Sequence, residues 1–517
     1  MHQSIRGRVA TRSLVVASAL LLAATGANAA GPRWAAAGPG PDYVRTGPSS
    51  SQTPYYEPFA RGVDIKSLLT AGDAVDGYRM AGIPDGLGAY RSGNDTFTVL
   101  MNHEIPAGLG GPHAHAPNGA FISKWRIQRD DHEVVDGGDL IQSVATYDTT
   151  TDEYNAPAYG VVLSRFCSAD LARKRAFHDA ASGLGFDGRI YLTGEEIGAE
   201  GRAFGTVVKG ADEGVAYELP ALGKMSFENV VANAWSGVAT VVIGLDDATP
   251  GQVYVYVGEK SSTGNPVEQA GLTGGTLYGI AVDGVVLEDR AAGIGGPSKA
   301  FSLASLGDVT EMTGAQLETA SDTAGVTEFL RPEDGAWDPS APNDFYFVTT
   351  DRFNTVKRPG TAPTINTPAA QEGATRLWRL SFDDRTQPEL GGIITELIDG
   401  STGGDRPQMF DNMTIDTTGR ILLTEDPGGQ PYVAKIWEYD IATDHIRLIA
   451  RSDNDRFGND AGKPPVAPFS TDEESSGIID ASRVLGPGWF LFDVQAHYPN
   501  ADPTLYEGGQ LLMMRIP

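Results

Sequence analysis

Side chains able to hold a cation recur at definable places along this chain. They are Asn102-His103-Glu104, Glu195-Glu196, Glu228, Glu333, the Asp411-Asn412 pair and Glu474. Most offer hard oxygen atoms, the donors that Ca²⁺ prefers. Cys167, the single cysteine, does not fit calcium: a thiolate points to a transition metal such as iron or zinc at the same site. The plainer reading of Cys167 is a small, inert, buried hydrophobe. Arg331-Pro332-Glu333 sets a guanidinium and a carboxylate two residues apart, so on an extended segment both project from one face. Arginine is shaped to clamp a pair of phosphate oxygens, and its presence among acids and cations implies that an anion visits. An ion pair between Arg331 and a neighbouring acid is the alternative. Arg406, in Asp405-Arg406-Pro407, is a second candidate for the same task.

Other motifs fail on spacing. His113 and His115 lie in a Gly/Pro-rich stretch without Cys or further His at zinc-like spacing, and are expected on a surface loop. Asp453 to Gly458 begins like a calcium loop, but Phe457 falls at the fifth ligand place and Pro464 at the twelfth, so it is not an EF-hand. Gly458 to Lys463 lacks the spacing of a phosphate loop and its following Ser/Thr, and no G-x-S-x-G elbow occurs. Nucleotide and serine-nucleophile chemistry both lose ground.

The elements that must carry these residues are strands. Six apolar or β-branched runs end on an acidic or otherwise polar residue: Thr96 to Glu104, Arg189 to Glu196, Ala239 to Asp247, Asp344 to Asp351, Arg420 to Asp426 and Trp489 to His497. After most of them comes a second, aromatic-rich alternation, in runs ending at Asp148, Lys260, Asp384 and Asp440. Helical periodicity is almost absent. Six strand-only repeats of about 75 residues suggest an all-β fold, a six-bladed β-propeller with a central metal-binding channel; a pair of β-sandwiches is the alternative. Just upstream of most runs, Glu228 to Asn233, Glu333 to Asp338 and Asp411 to Asp416 each begin with a carboxylate and end five residues later on Asp or Asn. Cys167 to Ala172 and Glu474 to Ile479 fall in corresponding places. These should be innermost strands, so that carboxylates and Cys167 converge at one channel mouth. Unpaired acids so close together would raise one another's pKa, a cost that bound cations remove.

Composition bounds the partners. With 39 Lys+Arg against 67 Asp+Glu the net charge is −28, which argues against nucleic acid or an anionic membrane. Residues 1–29 carry Arg6, Arg8 and Arg12, an apolar run and Ala27-Asn28-Ala29, the pattern of a cleavable signal peptide, so a periplasmic or secreted protein is expected. No transmembrane segment follows, and a monomer is expected. Residues 30–75 read as an irregular leader, and 76–517 as the propeller.

The ordered set NHE at Asn102 to Glu104, the lone Cys167, EE at Glu195-Glu196, Glu228, RPE at Arg331 to Glu333 and DRPxxxDN at Asp405 to Asn412 resembles the PhoX-type alkaline phosphatases. DEESSG at Asp472 to Gly477 and FLFDVQAH at Phe490 to His497 look like the closing region of that family. The resemblance implies an exported phosphomonoesterase acting on small phosphate esters through a mixed iron (Fe³⁺) and calcium cluster. It implies Cys167 as a bridge between two ferric ions, Glu228 and Glu333 holding iron and calcium, Glu195 or Glu196 holding calcium, and Arg331 orienting the phosphate. Phe227 stands where the family commonly has His, and Gly258-Glu259-Lys260 where it has an acidic turn. Whatever the name, metals at a carboxylate ring would neutralise phosphate oxygens, and a metal-bound oxide or hydroxide would be the nucleophile. Two other functions compete: a calcium-dependent propeller hydrolase such as a phytase or lactonase, and a non-catalytic propeller braced by calcium.

Overall fold

A computed structural model describes residues 33–35, 44–248, 250–289, 292–351, 355–356, 364–365, 375–400, 407–428, 432–459 and 462–517. The β-branched and aromatic runs singled out in the sequence form strands, because their alternating side chains fill both faces of stacked sheets. Among the described residues, antiparallel pairing groups the strands into six units of four. The first unit runs from Pro84–Arg91 through Thr96–His103 and Phe121–Gln128 to Val134–Asp139. The next four begin with Phe166–Asp170, Phe227–Ala232, Pro332–Trp337 and Phe410–Ile415, and the last begins with Glu473–Asp480. These leading strands touch one another in a closed ring, each packed on the next and the last on the first. The fold is an all-β propeller, as the sequence pattern predicts.

Apolar layers between the units hold the ring. Phe97, Trp125 and Met101 of the first unit meet Leu491, Leu511 and Met513 of the last, all fully buried. Phe345, Phe347 and Trp378 pack against Val241, Ile243 and Val255 of the preceding unit. Each such side chain contributes about 1.5–3 kcal/mol on burial. The strand Ser298–Gly307 pairs with both Thr276–Val282 and Gly392–Asp399, so two neighbouring units share one continuous sheet and lose two free edges.

Two expectations are corrected. Residues 44–75 are not an irregular leader: Asp64–Thr70 is the outermost strand of the last unit, paired with Glu507–Arg515, and Val44–Thr46 and Tyr56–Pro58 add to sheet edges. Its polar, Gly/Ser-rich surroundings hid a strand whose Ile65, Leu68 and Leu69 are fully buried. The run ending at Asp148 is not the third strand of the first unit. Ser143–Ala145 lies at the edge of the second unit and Tyr147–Asp148 makes a small hairpin, while Phe121–Gln128, which alternates as well, takes the third place. The expected signal peptide lies outside the described residues.

Candidate metal centre

At one mouth of the channel the same backbone device is repeated six times. The second residue of each leading strand is, in order, Asp85, Cys167, Glu228, Glu333, Asp411 and Glu474. In five of these strands the pairing register slips just after the first residue, and in the last it slips after Ser475. A bulge breaks the strict in-and-out alternation and re-aims side chains, which lets consecutive polar residues face the axis. Gly86 permits the closest approach: a Cβ there would lie 2.5 Å from the backbone nitrogen of Ala169 on the next leading strand.

Asp85 and Cys167 group with Glu104, and Glu228, Glu333 and Asp411 form a second triad; within each, potential ligand atoms lie within 4.8 Å of one another. The two groups touch, since Cys167 Sγ lies 2.9 Å from Glu228 Oε2 and 3.4 Å from Asp85 Oδ2, within reach of its one proton toward either. Ser168, one residue deeper, donates to Glu228 Oε1 at 2.7 Å, and Asn412 Nδ2 lies 3.1 Å from Asp411 Oδ2. Gln495 Nε2 bonds both Asp85 and Glu104.

Electrostatics follow from that crowding. Burial pushes the carboxyls of Asp85, Glu228 and Asp411 far above the usual range, and their acidic neighbours push further: Glu104 and Glu474 on Asp85, Glu333 on both Glu228 and Asp411. Burial likewise raises the Cys167 thiol, with Asp85 and Glu228 adding to it. Such a set holds protons tightly until cations replace them. Five carboxylates and a thiol, dry and mutually repelling, fit a cluster that mixes hard and soft divalent or trivalent ions.

A second tier surrounds this one. The residues just past the second strands, Glu104, Glu196, Asp247, Thr350 and Asp426, and His497 within the long second strand of the last unit, each donate a backbone N–H to the residue preceding a leading strand: Ile83, Arg165, Ser226, Arg331, Met409 and Asp472. This is why the apolar runs end on polar residues. Four of those preceding residues, Ile83, Arg165, Arg331 and Met409, have positive φ between 38° and 60°, a conformation costing L-residues roughly 1–3 kcal/mol unless the surroundings enforce it.

Arg165 and Arg331 therefore occupy equivalent places two units apart. Arg331 is held by both oxygens of Asp247 at 2.7 Å and reaches Glu333 Oε1 at 2.9 Å. Arg165 pairs with Glu104 and Glu196. Each arginine thus bridges to the acid that ends the second strand of the preceding unit. Sequence reasoning missed Arg165 and Asp85. The clue to Asp85 was its place after Pro84, matching Glu333 after Pro332, although its own six-residue stretch ends on Tyr90.

Other residues singled out in the sequence lie elsewhere. Glu195 is turned away from the cluster, with Arg202 on both of its oxygens at 2.7 and 2.9 Å; Glu196, its neighbour on the opposite face, is the one beside Glu104 and Arg165. Asn102 is a brace, donating to Cys167 O at 2.6 Å and to Thr193, and Asn412 Oδ1 accepts from Ser168. His103 stacks on Phe121 with centroids 4.3 Å apart, and burial lowers its pKa to about 3. Glu474 accepts from Ser476 and lies 3.8 Å from His497, so it reaches the ring near an imidazole. His115, expected on a surface loop, is fully buried, and His113, expected there too, stacks on Phe121 with centroids 3.6 Å apart: aromatic packing draws the loop inward. Arg406 lies outside the described residues.

A sequence model of alkaline phosphatase PhoX matches residues 190–455, just over half of the 517 residues. The chain belongs to the PhoX alkaline phosphatase family. Among solved structures, Pseudomonas fluorescens PhoX in complex with vanadate, a transition state analogue, aligns with a TM-score of 0.62 at 15% identity, covering 88% of this chain and 95% of that one. At that identity the likeness is one of fold, and the fold is that of PhoX. A gluconolactonase from Xanthomonas campestris (TM-score 0.34, 10% identity, 88% and 96% covered) and a Trypanosoma rangeli sialidase (0.32, 11%, 88% and 58%) are too remote to carry an argument. No curated protein matches by sequence. Beyond the family match, the two acid groups and the paired arginines at one mouth are features of this chain itself.

Proposed function

We propose that this PhoX-family chain is an exported, metal-dependent phosphomonoesterase, a six-bladed propeller whose iron and calcium ions are held at the channel mouth by Asp85, Glu104, Cys167, Glu196, Glu228, Glu333, Asp411 and Glu474. The observation that carries this reading is the sixfold recurrence of a ligand-type side chain at the second position of the leading strands. When bound, the metals would supply charge neutralisation for the phosphate and an acidified water.

The chain's own residues do the positioning. Asp247 holds the Arg331 guanidinium by Nε and one terminal nitrogen. Among the described residues its Nη1 makes no hydrogen bond, and this is the edge that donates to a phosphate oxygen as charge develops in the transition state. Glu333, shared between Arg331 and the second triad, ties that donor to the metals, so that phosphate and cations are fixed in one frame. Arg165 supplies the matching cation on the Asp85 side, paired with Glu104 and Glu196. Ser168, Asn412 and Gln495 close the floor with directed hydrogen bonds.

The test is elemental analysis of the purified native protein together with turnover of a chromogenic phosphate monoester. Iron and calcium with turnover are expected. Calcium alone, or both metals without turnover, would overturn the reading in favour of another propeller hydrolase or a braced scaffold.

A further inference from the structure

The opposite mouth of the channel is built of arginine. There the far ends of the leading strands open into a cavity of about 430 Å³, and Arg173, Arg189, Arg483 and Trp235 are among its lining residues. It lies about a strand length, roughly 17 Å, from the acidic ring. Arg175 joins the group: the guanidinium carbons of Arg173 and Arg175 lie 5.0 and 4.3 Å from the centroid of the Trp235 ring. In a chain of net charge −28, four arginines gathered at one opening are anomalous.

They are not gathered to balance acids. Among the described residues none of the four makes an ion pair within 4.0 Å, whereas most other arginines of the described strands do. Three carboxylates, Asp170, Asp334 and Asp480, also line the cavity, and Asp480 and Asp170 act favourably on Arg173, but each has other hydrogen-bond partners. Asp480 accepts from the backbone and hydroxyl of Ser482, and Asp170 accepts from the Ala232 amide while burial raises its pKa to about 7. The guanidinia repel one another instead: after burial, Arg483 is the next influence lowering Arg173, to about 10, and Arg175 as well. Arg189 feels burial first and Arg483 too. A half-dry opening with several forks that form no close ion pair and a shared aromatic face is the setting in which an oxyanion is bound bidentately.

We propose that this second mouth is a binding site for a phosphate oxyanion, free or as the head of a small organic phosphate, seated between Arg173, Arg189 and Arg483 beside Trp235. The site stands apart from the metal centre and needs no metal. A bound dianion relieves the repulsion among the guanidinia, and the low-dielectric walls of the channel focus their field on it. Trp235 offers an apolar wall to whatever the phosphate carries.

Titration calorimetry on the full-length, metal-loaded protein tests this with two probes, inorganic phosphate and phenylphosphonate, which cannot be hydrolysed. The parent protein is expected to bind one more equivalent of phosphate than Arg173→Gln/Arg483→Gln, in which that site weakens at least tenfold while the melting temperature stays within about 2 °C. Tighter binding of phenylphosphonate, lost in Trp235→Ala, would assign an organic phosphate; equal binding would assign the free ion. If the double variant does not fold, Arg483→Gln alone carries the same expectation with a loss of about threefold. Identical isotherms for parent and variant would overturn the proposal, and because turnover is not read, that failure would leave the metal-centre reading as it was.

Discussion

The two mouths of one channel have been given opposite chemistry. At the first residues of the leading strands, carboxylates and a thiol crowd together, and arginine enters only as a partner locked to acids, Arg331 to Asp247 and Arg165 to Glu104. At the far ends the arginines crowd, and the acids are the ones with other partners. Both arrangements are internally repulsive, and each is relieved by a ligand of the opposite sign. The difference teaches that repulsion in a folded protein is informative when it recurs in register: a protein need not place five carboxylates and a thiol around one axis unless something is meant to lie among them.

The largest effect should come from the soft donor of the acidic mouth. Cys167→Ser removes the thiolate but leaves every carboxylate, so the transition metal should be lost and phosphatase turnover should fall by more than about 10²-fold. Iron content and turnover measured on the same sample decide it; a serine variant matching the parent in both would break the contrast between a mixed-donor mouth and an ordinary acidic one. Phosphate binding at the arginine mouth should survive this change.

Removing all metals comes next. A ligand that binds only the folded state stabilises it by about 2.7 kcal/mol at a hundredfold excess over Kd, so chelation should lower the melting temperature by about 3 °C for each site emptied, given ~1 °C per kcal/mol for a unit of this size. Calcium should restore part of the loss. An unchanged melting temperature on chelation would mean that the acids do not meet.

The paired arginines sharpen the comparison further. Arg331→Gln should cost about 10²-fold in kcat/KM, as for one donor aimed at developing charge. Arg165→Gln, which removes a cation from beside Glu104 and Glu196 on the Asp85 side rather than beside the second triad, should cost on the order of tenfold, about 1.4 kcal/mol. Steady-state kinetics on both variants separate the two roles, and equal losses would erase the asymmetry.

The smallest effect lies at the arginine mouth. Asp170 has its folded pKa raised to about 7 by burial, against 3.8 for an ordinary aspartate. The folded state therefore holds the proton more tightly, and the stability this contributes is complete below about pH 4 and is lost as pH rises through 7. Asp170→Asn, which keeps an acceptor for the Ala232 amide, should match the parent melting temperature near pH 4 and exceed it by a few degrees at pH 8. A constant difference across that range would refute the raised pKa.

Much of the acidic mouth was legible in the sequence because repetition marked it. Glu228, Glu333 and Asp411 open six-residue stretches of the same form, and Glu474 and Cys167 fall in step with them. Asp85 was not legible: Gly86 follows it for lack of room beside Ala169, and its stretch closes on Tyr90. Choosing between Glu195 and Glu196 required knowing the parity of the strand, which the bulges obscure. Arg165 and the arginine mouth were invisible for a different reason, since their partners come from distant parts of the chain and no local pattern announces them. The strand Asp64–Thr70 was hidden because its neighbours on either side read as turn-forming sequence.

That same strand fixes an order of events. It is an outer strand of the last unit, and it pairs only when Glu507–Arg515, far along the chain, has reached it. Until then the ring is open between its first and last units, Leu68 and Leu69 lack their cover from Leu511 and Met513, and such long-range pairing is intrinsically slow to form. A fold closed in this way completes its acidic mouth only once its two most distant strands have met.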